Sequence, residues 1–191
     1  MTKCIIKHGQ FVGQATPVIT NVQLGWIPNS VELYNATDGT PLQTAYLNWI
    51  VPFSSGGTAE ILAGALIRGL TSGATAQVQE VLNNTAGTFA AGTAAGFLVL
   101  QEGSLTGTFG AENIVITNLA SGTIGTDDAT VTANVVHNVA VTTAAALVAA
   151  GTTAISRYEG ATGSASKGFT VGVGLALASK LIRWRAFRDD A

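Results

Sequence analysis

The residues best placed to meet a charged partner stand near the end of the chain. Lys180, Arg183, Arg185 and Arg188 form its only basic cluster, interleaved with Trp184 and Phe187. Cations alternating with aromatics suit a nucleic-acid backbone or an acidic protein surface. The run is short and the chain as a whole carries −2, which argues against nucleic acid. Two readings remain: a strand whose outer face simply carries arginine, and a contact with a protein partner of acidic surface.

His8 and His137 are the only histidines, and no Gly-x-Ser-x-Gly elbow supplies a nucleophile for either. In Gly69-Leu70-Thr71-Ser72-Gly73 the serine falls one place late. The stretch from Gly160 to Gly168 looks like a phosphate loop. It fails because Ser166 precedes Lys167 and Gly168 follows it, where Gly and then Ser or Thr are needed. Glu80, Glu102 and Glu112 have no spacing that suggests paired catalytic carboxylates, and they read as solvated strand or turn positions. Asp127 and Asp128 lie in no EF-type loop. The single Cys4 excludes an internal disulfide and a cysteine zinc site, and is expected as a reduced, buried thiol. No catalytic residue, metal or cofactor is expected, and the chain is read as a non-enzyme.

The basic cluster needs an element to carry it. From Lys180 to Arg188 the chain alternates with period two: Ile182, Trp184 and Ala186 on one side, Arg183 and Arg185 on the other. That is a strand signal. Gly168–Val171 reads as the strand before it, weakened beyond by Gly172 and Gly174. At the other end, residues 4–12 form a first strand limited by Gly9 and Gly13, and Pro17–Leu24 a second. Gly25–Ser30 is a corner fixed by Pro28. Val31–Asn35 alternates, Thr37–Pro41 turns on Asp38-Gly39, and Ala45–Val51 sets Leu47, Trp49 and Val51 on one face. Thr58–Leu70 suits a short helix or a strand equally.

The texture changes near Leu66. Thr71–Ala74 is a hairpin turn leading into Ala76–Val81. Gly87-Thr88-Phe89 recurs as Gly107-Thr108-Phe109, each followed by an apolar strand, Phe97–Leu100 and Ile114–Ile116. Two copies are too few for a solenoid and suggest a small antiparallel module. Ala129–Val136 closes it. Thr142 or Thr143 can cap a short helix over Ala144–Ala150, and Thr153–Tyr158 is a further strand. The expected fold is mainly β: a jelly-roll-like or sandwich body from residues 1–64 and 139–191, with an antiparallel β module, 65–138, inserted. The alternative is two sequential domains cut near residue 64.

Composition bears on partners. Charged residues make up only 10% of the chain, against ~25% in ordinary soluble proteins, while glycine numbers 23. Between Gly69 and Ser156 there is no Lys or Arg, and that stretch carries −5 while the rest carries +3. So few charges suit a surface partly covered by neighbours, and a homo-oligomer is expected. The start, Met1–His8, lacks the apolar core of a signal peptide. Val139–Ile155 is too short and polar to span a bilayer, so no membrane contact is expected.

A resemblance adds to this. The stretch Leu24-Gly25-Trp26-Ile27-Pro28-Asn29-Ser30-Val31-Glu32-Leu33-Tyr34-Asn35-Ala36-Thr37-Asp38 resembles one common in virion proteins of tailed bacteriophages, where a Gly-aromatic-x-Pro corner leads into a strand ending in Asn-x-Thr. The segments Ser156–Gly160, Lys167–Gly172 and Ile182–Ala186 look like the close of the same proteins. Thr71–Ala76 and the Gly-Thr-Phe pieces are similar to small β modules of phage structural proteins. The resemblance implies a capsid decoration, or cement, protein on the outer capsid surface of the virion, with the major capsid protein as partner and no catalytic residues; the threefold and quasi-threefold positions of such shells imply that the homo-oligomer is a trimer. A tail or fibre component binding host-surface glycans is the alternative.

Overall fold

A computed structural model describes residues 3–56, 60–83, 87–117, 129–131, 135–136, 155–159 and 166–190. All its regular elements there are strands: β1 (Lys3–Val12), β2 (Thr20–Gln23), β3 (Ser30–Asn35), β4 (Thr40–Tyr46), β5 (Trp49–Gly56), β6 (Leu66–Gly69), β7 (Thr75–Asn83), β8 (Ala94–Leu100), β9 (Glu112–Ile116), β10 (Ala129–Val131), β11 (Val135–Val136), β12 (Ile155–Tyr158), β13 (Gly168–Val171) and β14 (Leu181–Asp190). The helix expected at 144–150 lies outside the described residues. The open choice over Thr58–Leu70 resolves, from Leu66, as strand.

The chain divides into two compact units, 1–48 with 136–191, and 49–135. The first boundary falls at 48/49, well before the expected 64. Ala45–Val51, which reads as one strand, is two: β4 ends at Tyr46 and β5 begins at Trp49. Alternation runs on across the break, but Leu47 belongs to one core and Val51 to the other. A binary pattern says which side is buried and nothing of what covers it. Trp49 and residues up to Gly56 therefore belong to the inserted unit, whereas the sequence reading placed them in the body.

In the unit built from both ends, two antiparallel sheets form a sandwich. Their strand orders are β1-β14-β3-β4 and β12-β13-β2. Val31, Leu33, Ala45, Ile182 and Ala186 from the first sheet pack with Ile155, Phe169 and Val171 from the second. Phe169 meets the half-buried Trp184 edge to face, with ring centroids 5.5 Å apart. β3 shows the alternation plainly: Val31, Leu33 and Asn35 are buried, Glu32 and Tyr34 exposed. The Asp38-Gly39 turn follows, with Gly39 at φ 72°, a left-handed conformation that glycine adopts without strain. Gly9, expected to limit β1, lies inside it opposite Trp184. A β-carbon there would come within 2.4 Å of the indole, so the ring occupies the space a side chain would fill.

The 49–135 unit is larger than a small module. Its sheet runs β10-β9-β6-β7-β8-β5-β11, and β10 also pairs with β5 through Thr130↔Ser54 and Val131↔Phe53. Six antiparallel strands thus close into a ring, which removes the free edges an open sheet would leave. Ile67, Ala76, Val78, Leu98, Leu100, Ile114 and Ile116 point inward. The two Gly-Thr-Phe pieces act alike: Gly87 (φ 88°) and Gly107 (φ 79°) turn the chain, and Phe89 and Phe109 plug the same core. Phe89 stacks on Phe53 at 5.9 Å.

Candidate partner-binding face

The register of the four-stranded sheet decides which residues share its outer side. Arg185 lies opposite His8 on β1 and Glu32 on β3, and Arg183 lies opposite Gln10 and Tyr34. These six side chains form two adjacent rows and line a shallow depression of about 770 Å³, with Gly9 and Trp184 between the rows. All six residues are exposed. Among the described residues neither guanidinium has an ion pair or side-chain hydrogen bond. Tyr34 and Gln10 add a hydroxyl and an amide beside Arg183, and Glu32 is the one carboxylate in the patch.

The expected cluster of four cations is therefore a pair. Lys180 precedes the strand, and its ammonium donates to Asp38 at 2.8 Å. That hydrogen bond holds the Asp38 carboxyl below the usual range against partial desolvation, with a further hydrogen bond from Asn35 helping. Buried Asn35 accepts from the Thr37 and Asp38 amides, so Lys180 fastens a turn. Arg188 falls on the side of Ile182, Trp184 and Ala186, is half-buried, and is not without a partner. Only Arg183 and Arg185 remain on the open face. Sequence reasoning missed His8, Gln10, Glu32 and Tyr34 as their companions. Each strand's parity was readable, but the register that aligns the strands was not.

Two further expectations are corrected. Cys4 is exposed, because β1 is an edge strand and Cys4 sits on its outer side. Partial desolvation, and then a hydrogen bond to Asp189 and that carboxylate's charge, push its thiol up and disfavour the thiolate. Glu112, read as solvated, is only 7% accessible. Its carboxylate accepts from the amides of Thr71 (2.7 Å), Ser72 (2.8 Å) and Gly110 (3.0 Å) and from the Ser72 hydroxyl (2.5 Å). Burial pushes this carboxyl up, but the four donors outweigh it and bring it down to about 2. Gly69 makes the room, since a β-carbon there would stand 2.6 Å from the carboxylate. Glu112 is thus a tie between β9 and the β6–β7 turn, with its acceptor capacity spent on the fold.

His137, Asp127, Asp128 and residues 160–165 of the phosphate-loop lookalike lie outside the described residues. Among those described, no group of three His, Cys, Asp or Glu is placed to hold a metal. The chain matches no protein-family model, no curated protein and no solved structure.

Proposed function

We propose that this is a non-enzymatic structural protein of a tailed-phage virion, a decoration or cement protein that binds and reinforces the outer capsid shell. One observation carries the reading. The two stretches that bear the resemblance, the corner leading into β3 and the closing strand β14, are hydrogen-bonded neighbours. Their common outer face presents Arg183 and Arg185 without internal partners.

Charge supports the same orientation. Residues 1–48 and 136–191 hold eight basic and five acidic groups, net +3, while residues 49–135 hold one basic and six acidic, net −5. Against an acidic major capsid protein, the first unit docks. Charge complementarity sets orientation and encounter rate, and affinity comes from apolar burial. Exposed Ile6, Val12, Val18 and Ile19 offer apolar area in that unit, both for the shell and for neighbours in a trimer. The alternative, a tail or fibre component binding host glycans, has exposed Tyr34 beside the depression in its favour.

Sedimentation with heads stripped of the protein tests the docking. Arg183→Glu with Arg185→Glu should weaken attachment roughly tenfold or more at low salt, an effect that shrinks as salt screens charges beyond ~8 Å. Glu60→Lys with Glu80→Lys, both exposed in the 49–135 unit, should change it less than about twofold. The reverse ranking would sink the assignment of the docking face.

A further inference from the structure

The outer sheet of the first unit ends on an open edge. β1 is ten residues long and, among the described residues, pairs with β14 alone. The Gly13 amide donates to the Lys180 carbonyl at 2.9 Å, which fixes the phase of the ladder. In an antiparallel pair the backbone groups point to the neighbour and away from it in alternation. The odd-numbered residues of β1 thus bond to β14, while Ile6, His8, Gln10 and Val12 turn their N–H and C=O groups outward. Among the described residues those groups have no partner.

Other edges in this unit are blunted. β4 carries Pro41 and faces a register shift at Leu33/Tyr34, and β2 and β12 are four residues each. β1 has no proline or bulge. A lysine often guards an edge, but Lys7 is turned away from this one. It lies on the inner side with Ala186, where its ammonium donates to the Leu24 carbonyl at 3.0 Å and stands 5.8 Å from the centre of the Trp26 ring. A long, flat edge left in this state invites another strand.

We propose that the strand it takes up is β1 of a second copy, antiparallel, with the two-fold axis at Gly9. In a two-fold contact residue i faces j and j faces i. Hydrogen-bonded pairing here also requires even-numbered residues to face even-numbered ones. With the axis at Gly9, Ile6 faces Val12 of the second copy and His8 faces its Gln10. Ile6 and Val12 are 56% and 63% exposed in one copy, so each covers the other. Within a copy Ile6 lies beside Phe187 and Val12 beside Leu181. Two outer rows thus cross the junction apolar throughout, Phe187 and Ile6 continuing into Val12 and Leu181. Between them, polar rows run from Arg185 and His8 into Gln10 and Arg183, with two strands separating the arginines of the two copies. Neighbouring registers fit worse. An axis at His8 sets His8 against His8, with an Arg185 on either side, and Ile6 against Gln10. An axis at Gln10 sets Val12 against His8. Cross-strand apolar pairs stabilise a sheet, and like charges brought together destabilise it. The inference is independent of the shell assignment, because it concerns the isolated protein. A two-fold contact cannot build a trimer; on a shell it would join one trimer to the next.

Sedimentation of the full chain from micromolar to millimolar concentration, with hydrogen exchange alongside, tests the contact. Dimer should form as concentration rises, and exchange should slow at the amides of Ile6, His8, Gln10 and Val12. A spin label on Cys4, the single and exposed cysteine, reads the register. With the axis at Gly9 the two labelled residues stand ten positions apart along the paired strands, about 34 Å, against about 27 Å with the axis at His8. Ile6→Lys with Val12→Lys sets lysine against lysine at both ends of the contact and should weaken the dimer roughly tenfold or more. Both positions are exposed, so circular dichroism should show the fold unchanged. Ile6→Lys with Val12→Glu sets opposite charges face to face and should recover most of the loss. The proposal is overturned if the chain stays monomeric at millimolar concentration, or if it self-associates with those amides unprotected. It is also overturned by a label distance near 27 Å, or by a dimer that the paired lysines leave intact.

Discussion

Glu112→Ala should destabilise the 49–135 unit by about 2 kcal/mol near neutral pH. The lowered carboxyl, from 4.5 to about 2, corresponds to roughly 3 kcal/mol, reduced by screening from water around the exposed turn Thr71–Gly73. The alanine variant also leaves four donors without their acceptor. The folded-state value lies below the unfolded one, so this stabilisation is full above 4.5 and is lost as pH falls towards about 2. Urea unfolding across that window should show wild type losing its advantage over Glu112→Gln as acid is added. A constant difference between the two down to pH 2 would contradict the tie.

Gly9→Val should cost about 2 to 3 kcal/mol, against the ordinary preference of strands for valine. The added β-carbon needs the space of the Trp184 ring, 2.4 Å away, and the ring cannot yield without leaving Phe169. Loss of an edge-to-face pair alone is worth ~0.5–1.5 kcal/mol, and exposure of the indole adds to it. Trp fluorescence should shift red. In a Trp184→Leu background the same substitution should cost far less, because the clash is gone. Equal costs in both backgrounds would place the strain elsewhere.

These two residues also mark where the sequence could be read and where it could not. Alternation in Val31–Asn35 and Ile182–Ala186 identified both strands and their buried sides, since each is half-covered and period two survives. The duplicated Gly-Thr-Phe piece pointed to a module because its glycines turn the chain at both copies. Gly9 reads as a break until the indole opposite is known. Glu112 reads as solvent-facing because its charge is visible in the sequence and its four donors are not. In β6 Leu66 points outward and Ile67 inward, so apolar residues on both sides imitate helical spacing. The pairing of Arg183 and Arg185 with His8, Gln10, Glu32 and Tyr34 depends on register across three strands, which local pattern does not encode.

The most direct test of the shell-binding reading is a reconstruction of the intact virion that resolves this chain. It should place the protein on the outer head surface, in groups of three, with the face carrying Arg183 and Arg185 against the capsid protein. Finding it confined to the tail, or on the head with residues 49–135 against the shell and both arginines in solvent, would contradict the account.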